Sequence, residues 1–238
     1  MESKLGIKDD LKAEEVAYRI DHLVFSQNML NSFKRDKGEF LDKYIRNIFW
    51  SDDSKEDKLY EKNMSYGRDF HMMCQRIFLN IIENVDEINY IDNSMKSDLK
   101  KIESIKRTYI NRYGKENIKF HPETTIELSD RIQVTLDLLV EIYEDGKLSQ
   151  VNIWDWKMEK RKILKSFAKT KMQTIVYMYA CKESIAKDLD YSNLKMYYYQ
   201  ARINNNVMIE YMEKDHEKNR ETIYSLINKI KSISKEVE

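Results

Sequence analysis

The chain has 238 residues, 42% hydrophobic and 34% charged, which is the composition of a globular protein with a heavily charged surface. Lysine and arginine equal aspartate and glutamate at 41 each, which excludes a strongly basic protein whose net charge alone points to nucleic acid. Without a membrane-length apolar run or a signal-peptide pattern, we predict a single cytoplasmic domain, residues 1–238, with no membrane partner.

Residues 1–115 are predicted to be mainly helical. Ser26 has the side chain of an N-cap and begins the second helix, which Gly38 punctuates, and Gly114 ends the fourth helix. A polar connector over residues 51–57 separates the two pairs of helices. The predicted helices cover residues 9–25, 27–50, 58–83 and 94–113.

The third helix carries the first candidate metal ligand. Gly67 and His71 lie one turn apart on one side of it, and the missing side chain of Gly67 allows another element to approach closely. This pairing makes His71 a metal-ligand candidate. A core-facing stripe on the same helix consists of Phe70, Met73, Ile77 and Ile81.

Residues 120–213 are predicted to form a sheet and a helix that crosses it. Pro122, the only proline, introduces the first strand, and the Asp-Gly pair in residues 144–147 is typical of a tight hairpin turn. The predicted strands cover residues 123–128, 131–140, 149–154, 194–201 and 207–212. The crossing helix covers residues 165–187, and the C-terminal segment 215–238 forms a last helix over residues 215–235.

Two acids and a lysine converge on the predicted hairpin. Antiparallel pairing across the Asp-Gly turn can bring Asp137 opposite Asp155, and Lys157 projects to the same side of its strand as Asp155. Charged groups at the end of an apolar strand cost free energy to desolvate, so their presence there indicates a functional role. This constellation is what a divalent-metal phosphodiester hydrolase needs. Glu123 offers a further carboxylate, but a glutamate at a strand end is expected to be solvated.

The motifs in this order resemble the PD-(D/E)XK nuclease superfamily, and within it the RecB-like branch. The likeness spans about residues 25–213 and uses short motifs that are each weak alone. They are Gly67-x-x-x-His71, Asp137, Asp155-Trp156-Lys157 and Gln173-x-x-x-Tyr177. The resemblance implies an α/β fold with a restriction-endonuclease-like core, in which a small mixed sheet is flanked by helices.

The resemblance also implies roles for individual residues. Asp137 and Asp155 would be the core ligands of Mg²⁺ or Mn²⁺, with His71 and the backbone carbonyl of Trp156 as further ligands. Lys157 would orient the water or stabilise developing negative charge. Cys74 and Cys181 are too few for a four-thiolate iron–sulfur cluster, so no such cluster is expected, and both are predicted to be buried free thiols.

A cationic segment follows the candidate lysine and predicts a nucleic-acid contact. Seven cations against one acid lie between residues 157 and 171, and Lys160 and Arg161 stand at its centre. On the crossing helix, Lys169, Gln173 and Tyr177 have the spacing of a single stripe that would position the scissile strand. The expected partner is DNA, single-stranded or with ends, and the resemblance is compatible with a helicase or recombination partner.

The predicted function is a metal-dependent deoxyribonuclease, and two other classes stay open. A catalytically inactive nuclease-fold module for nucleic-acid binding or complex assembly fits the neutral net charge, but every charged motif residue is present. A helical interaction protein leaves the shared face of Asp155 and Lys157 without a purpose. The sequence does not distinguish exonuclease from endonuclease activity, or DNA from RNA.

Overall fold

The computed structural model describes residues 12–48 and 55–237. Its strands are β1 (Ile118–Glu127), β2 (Gln133–Glu144), β3 (Lys147–Lys157), β4 (Leu194–Gln200) and β5 (Asn205–Glu210). Its α-helices are α1 (Ala13–Asp21), α2 (Gln27–Arg35), α3 (Lys37–Phe40), α4 (Lys55–Phe78), α5 (Asn93–Tyr113), α6 (Lys165–Thr170), α7 (Met172–Lys182) and α8 (Glu213–Val237).

The five strands form one mixed sheet in the order β1-β2-β3-β4-β5. All neighbours are antiparallel except β3 and β4, which are parallel and are joined through α6 and α7. The hairpin between β2 and β3 turns at Asp145 and Gly146, whose φ angles of 50° and 74° suit the predicted tight turn. The α/β fold class and the mixed sheet flanked by helices are therefore confirmed.

Each face of the sheet is covered by its own helices. On one face, Val151 and Ile153 of β3 lie in the same core cluster as residues of α7 and α8. On the other face, Trp154 and Trp156 lie in a second cluster with residues of α4 and α5. Alternation along β3 thus directs successive side chains into two different cores, and it sends Asp155 to the α7 side.

The N-terminal helices differ from the prediction in their boundaries. Ser26 caps α2 as expected by accepting a hydrogen bond of 3.2 Å from the Met29 N–H. The break falls at Asp36 rather than Gly38, because Asp36 has extended backbone angles and its carboxylate caps α3. A π-helix over Leu41–Arg46 follows, and residues 9–11 and 49–54 of the predicted elements lie outside the described residues.

Helix α4 ends before its predicted boundary. Phe70, Met73 and Ile77 are buried as predicted, but Ile81 is 65% exposed because the helix stops at Phe78. Asn80 then adopts a positive φ, which turns the chain away from the core. Helix α5 ends at Gly114 as predicted, with a φ of 82° that suits glycine.

The first strand begins earlier than predicted, and Pro122 lies inside it. β1 pairs with β2 only, so it is an edge strand where the missing N–H of a proline is tolerated. The predicted crossing helix is two helices, because Lys171 has extended backbone angles between α6 and α7. The second of these helices ends at Lys182 instead of residue 187. The buried ammonium of Lys182 donates hydrogen bonds to the carbonyls that follow, those of Ala186, Lys187 and Leu189.

The remaining elements agree closely with their predictions. β5 begins inside the expected Asn204–Asn206 turn, and α8 buries Ile223, Ile227 and Ile230. Phe25 and Ile132, both fully buried, form a short parallel bridge that ties the N-terminal helices to the sheet. Among the helices of residues 12–48 and 55–237, none combines the length and apolarity needed to cross a membrane.

Candidate active site

An open cleft of about 750 Å³ lies where α4 passes the middle of β1 and β2 and the C-terminal end of β3. Gly67 and His71 line it from the helix, and Glu123, Asp137 and Lys157 line it from the strands. Three consecutive strands and one helix therefore deliver titratable groups to a single opening.

His71, Glu123 and Asp137 form the tightest group in this cleft. One ligand atom of each lies within 4.8 Å of the others, and all three residues are partly exposed. Nδ1 of His71 lies 3.3 Å from Oδ1 of Asp137, across the gap between α4 and β2. The sequence predicted His71 and Asp137 together, and the structure brings them together.

Glu123 was expected to be a solvated strand-end residue; it remains accessible to solvent, but it lies in the middle of β1 and converges with His71 and Asp137. The register pairs Pro122–Leu138 and Thr124–Leu136 on either side put Glu123 opposite Asp137. Its φ of 51° lies in the left-handed region, which is uncommon for a residue with a side chain and concentrates at functional sites. The sequence could have indicated Glu123 only through its register relative to Asp137, because the pairing of β1 with β2 must be known first.

Asp155 and Lys157 share one face of β3 as predicted. The carboxylate of Asp155 is 1% exposed, and its Oδ2 lies 2.7 Å from Nζ of Lys157. The Lys157 ammonium is therefore the close ion-pair partner of this buried oxygen. Gln173 of α7 donates its amide N–H to Oδ1.

Burial and charge together set the protonation of this site. Burial and the nearby Asp137 carboxylate raise the pKa of Asp155 to about 7, although the Lys157 ammonium opposes the shift. Burial lowers the pKa of Lys157, but the charge of Asp155 outweighs it and leaves that pKa above its usual value. The same balance raises the pKa of His71, where burial is outweighed by the hydrogen bond and charge of Asp137.

Asp137 is held in place by β3. Leu138 and Trp154 form the last backbone pair at this end of the hairpin. One residue further, the side chain of Asp137 replaces the backbone as the hydrogen-bond partner of β3. Its Oδ2 accepts the backbone N–H of Trp156 at 2.7 Å. The Trp156 ring itself is buried against Phe78, on the opposite face from Asp155. Asp137 and Asp155 therefore meet at the sheet end, as the hairpin predicted.

The cationic loop over residues 158–164 leaves β3 next to the cleft. Gln200, fully buried at the end of β4, donates to the carbonyls of Glu159 and Arg161 and accepts the N–H of Ile163. This one amide fixes the loop and leaves Lys160 and Arg161 exposed beside the cleft. The sequence predicted their charge but gave no sign of the buried glutamine that holds them.

The predicted stripe of Lys169, Gln173 and Tyr177 is wrong. Lys169 belongs to α6 and pairs with Asp215 at 3.0 Å, whereas the other two belong to α7. Tyr177 is 5% exposed and lies in the core, where burial raises the pKa of its hydroxyl. Gln173 contacts Asp155, and the buried Tyr177 lies behind it near the charges of Asp155 and Asp137, so the expected strand-facing surface does not form on this helix.

Gly67 also has a different role from the one expected. A β-carbon built on it meets no described atom within 4 Å, so no element approaches it closely. The glycine instead leaves open space in the wall of the cleft beside His71.

The donor set fits a hard divalent cation. Two carboxylates and one imidazole converge in a partly exposed cleft, and the Asp155 carboxylate, paired with Lys157, lies on the neighbouring strand. Cys74 and Cys181 are free and buried as predicted. They lie in different core clusters, so their thiols do not join the donor set.

The similarity of this chain to known proteins extends over both the fold and the cleft. A family model described as the PD-(D/E)XK nuclease superfamily matches residues 24–237. A search of curated proteins finds no match to the chain. The matched range contains every residue of the cleft and all the described helices except α1.

Proposed function

Because the chain belongs to the PD-(D/E)XK nuclease superfamily, we propose that it is an active, divalent-metal-dependent DNA nuclease that hydrolyses phosphodiester bonds. The observation that carries the proposal is the convergence of His71, Glu123 and Asp137 within 4.8 Å, beside the buried pair of Asp155 and Lys157. Two carboxylates held this close repel each other, and a bound cation between them would relieve that repulsion.

His71, Glu123 and Asp137 would hold Mg²⁺ or Mn²⁺, with Asp155 and the Trp156 carbonyl as the further ligands expected from the motif. Such an ion supplies Lewis acidity for water and positive charge for the phosphoryl oxygens. The imidazole favours tolerance of Mn²⁺, since it is a softer donor than carboxylate. The raised pKa of Asp155 means that metal binding competes with a proton for this carboxylate near neutral pH.

The protein side chains would divide the remaining work. The Lys157 ammonium, 23% exposed at the cleft, can orient a water or stabilise charge that develops on the phosphoryl group. Gln173 fixes the orientation of Asp155 by its hydrogen bond. This makes Gln173 a positioning residue, because it acts through Asp155.

The substrate would lie across the cleft and along the cationic loop. Lys160 and Arg161 are exposed there and form no salt bridge within the residues that the structure describes. Their charges suit a phosphate backbone. The open cleft beside Gly67 is compatible with a single strand or a strand end.

The RecB-like branch is part of the proposal. It rests on the order of Gly67 and His71, Asp137, Asp155 and Lys157, and Gln173, together with the contact between His71 and Asp137. A helicase or recombination partner and a cytoplasmic location stay predictions.

A cleavage assay tests the function directly. Supercoiled plasmid and end-labelled linear DNA are incubated with Mg²⁺, with Mn²⁺ and with a chelator, using the wild type and Asp137→Asn. We expect metal-dependent products from the wild type alone, and nicked plasmid would distinguish an endonuclease from an exonuclease. DNA binding without cleavage under every metal condition would replace the proposal with the inactive nuclease-fold module.

A further inference from the structure

A second open cavity, of about 520 Å³, lies between α5 and the sheet. One face of α5 forms its wall, and side chains of β3, β4 and β5 form its floor. It shares no lining residue with the catalytic cleft. Its volume is in the range of small-molecule sites.

Aromatic side chains form part of this cavity. Trp154 stacks on Tyr197 with ring centroids 4.4 Å apart and an angle of 11° between the planes. Trp154 is buried beneath, whereas Tyr197 is only half-buried and lines the cavity together with Tyr113. An aromatic platform of this kind stacks a flat heterocycle with little regard to its identity.

The charged residues of the cavity all have the same sign. Lys101, Arg112 and Lys195 line it, and among the described residues no aspartate or glutamate does. Lys101 is neutralised by Asp98 at 2.8 Å. Arg112 and Lys195 form no salt bridge with any described residue, in a chain whose formal net charge is zero. Two cations without a salt bridge in one cavity favour an anionic ligand, even with Glu210 opposite Lys195 on β5.

The hydroxyl of Tyr109 supplies a directed hydrogen bond. It accepts from Nε1 of Trp154 and from Nδ2 of Asn152, each at 2.9 Å. Indole is a donor only, and Asn152 is oriented by a hydrogen bond from Gln150 to its Oδ1. With both lone pairs occupied, the hydroxyl of Tyr109 is left with a proton to donate, and no described residue accepts it.

We propose that this cavity binds a nucleotide, with its base against Tyr197, an acceptor atom on the Tyr109 hydroxyl and its phosphate between Arg112 and Lys195. The shared chemistry is an aromatic base that carries a phosphate. It comes either from a free mononucleotide or from the terminal nucleotide of a strand. The proposal does not depend on cleavage, because no metal ligand takes part in it.

Binding is measured on the full chain by calorimetry and tryptophan fluorescence in the presence of a chelator. The probes are dAMP and dTMP, the matching nucleosides, inorganic phosphate and a short oligonucleotide with a terminal phosphate. We expect each mononucleotide to bind at least about tenfold more tightly than its nucleoside or inorganic phosphate, because both halves of the cavity are engaged. A tighter oligonucleotide identifies a strand end as the source, and a tighter mononucleotide identifies the free ligand.

Paired variants locate the binding. The double change Arg112→Ala and Lys195→Ala, and separately Tyr197→Leu, should each weaken binding by about tenfold or more. Arg107→Ala is the matched control, since Arg107 is an exposed cation on α5 outside the cavity. It should change affinity by less than about twofold. Thermal unfolding of each variant establishes that the chain is folded.

Asp137→Asn separates this proposal from the proposed nuclease function. It should abolish cleavage and leave nucleotide binding unchanged, because Asp137 does not line this cavity. No saturation below about 5 mM would overturn the cavity proposal. So would affinity lost in Asp137→Asn but kept in the Arg112 and Lys195 variant, which would place the nucleotide in the catalytic cleft.

Discussion

The backbone N–H of Trp156 donates a 2.7 Å hydrogen bond to Oδ2 of Asp137, one residue beyond the last backbone pair of the β2–β3 ladder. Oδ1 of the same carboxylate lies 3.3 Å from the His71 ring. Asp137 therefore links β3 to α4, and its position is fixed before any ligand arrives. Because the ladder itself positions the central acid, substitutions around it can test single roles without loosening the sheet.

Glu123→Gln tests the ligand that the sequence undervalued. The variant keeps the size of the side chain but removes the charge, so affinity for Mn²⁺ should fall at least about tenfold, or ~1.4 kcal/mol. The matched control is Glu127→Gln, an exposed acid on the same strand. Calorimetric titration of both variants gives the comparison. Equal affinities would remove Glu123 from the ligand set and leave His71 and Asp137 in it.

Lys157→Met tests a role in the transition state. Methionine keeps much of the aliphatic volume and deletes the ammonium, so turnover should fall by at least ~100-fold, about 2.7 kcal/mol. Ammonium is not a ligand, but its loss raises the pKa of Asp155 further, so metal affinity should change little only at a pH high enough to remove the competing proton. Single-turnover cleavage and a metal titration measure the two quantities. Loss of metal binding with unchanged turnover per bound metal would instead assign Lys157 a structural role beside Asp155.

Asp155→Asn tests the raised pKa through stability. The folded pKa of about 7 exceeds the unfolded value, so Asp155 costs the wild type no stability below pH ~4. As pH rises from ~4 to ~7, the wild type loses stability, because Asp155 ionises in the unfolded state but stays protonated in the folded state. The amide does not titrate, so its advantage should grow across this window towards a ceiling on the order of 4 kcal/mol.

Denaturant unfolding with chelator at several pH values measures this advantage. The ceiling already includes the opposing charge of Lys157, because that charge is one of the causes that set the folded pKa near 7. A difference between the variants that is flat from pH ~4 to ~7 would show that Asp155 is ionised in the fold throughout this window.

The cationic loop is tested by the salt dependence of DNA binding. Replacing Lys160, Arg161 and Lys162 together by alanine should reduce the magnitude of the salt slope by about two to three, since each lost phosphate contact removes about 0.7–0.9. Lys169→Ala is the contrast, because its charge is already met by Asp215. Anisotropy titrations in the inactive Asp137→Asn background supply the slopes. A larger effect from Lys169 than from the loop would move the strand to α6.

The hairpin chemistry could be predicted from the sequence because it is local. The Asp-Gly turn predicts that the two strands pair, but a one-residue register shift between Ile142 and Tyr143 is also needed to put Asp137 opposite Asp155. Side chains alternate between the two faces of a strand, and this alternation predicts both the fold class and the face that Asp155 and Lys157 share.

What could not be predicted depends on single backbone angles and on distant partners. The extended conformation of Lys171 divides the crossing helix and separates Lys169 from Gln173, and no residue type at this position signals it. The position of Glu123 depends on a single left-handed backbone angle, and the buried Gln200 acts on a loop 37 to 41 residues away in sequence. Tyr177 was read as a surface residue because its neighbours in the motif are polar, yet tertiary packing buries it.

The single parallel pair has a consequence for how the molecule assembles. β1, β2 and β3 form a meander from near neighbours in sequence, and β4 with β5 forms a separate hairpin. To join them, the chain must close the long loop that contains α6 and α7. This closure costs conformational entropy before the β3–β4 contacts form and offset it. Asp155 and Lys157 lie on the strand at this seam, so a chain with both halves formed but not yet joined lacks a finished catalytic centre.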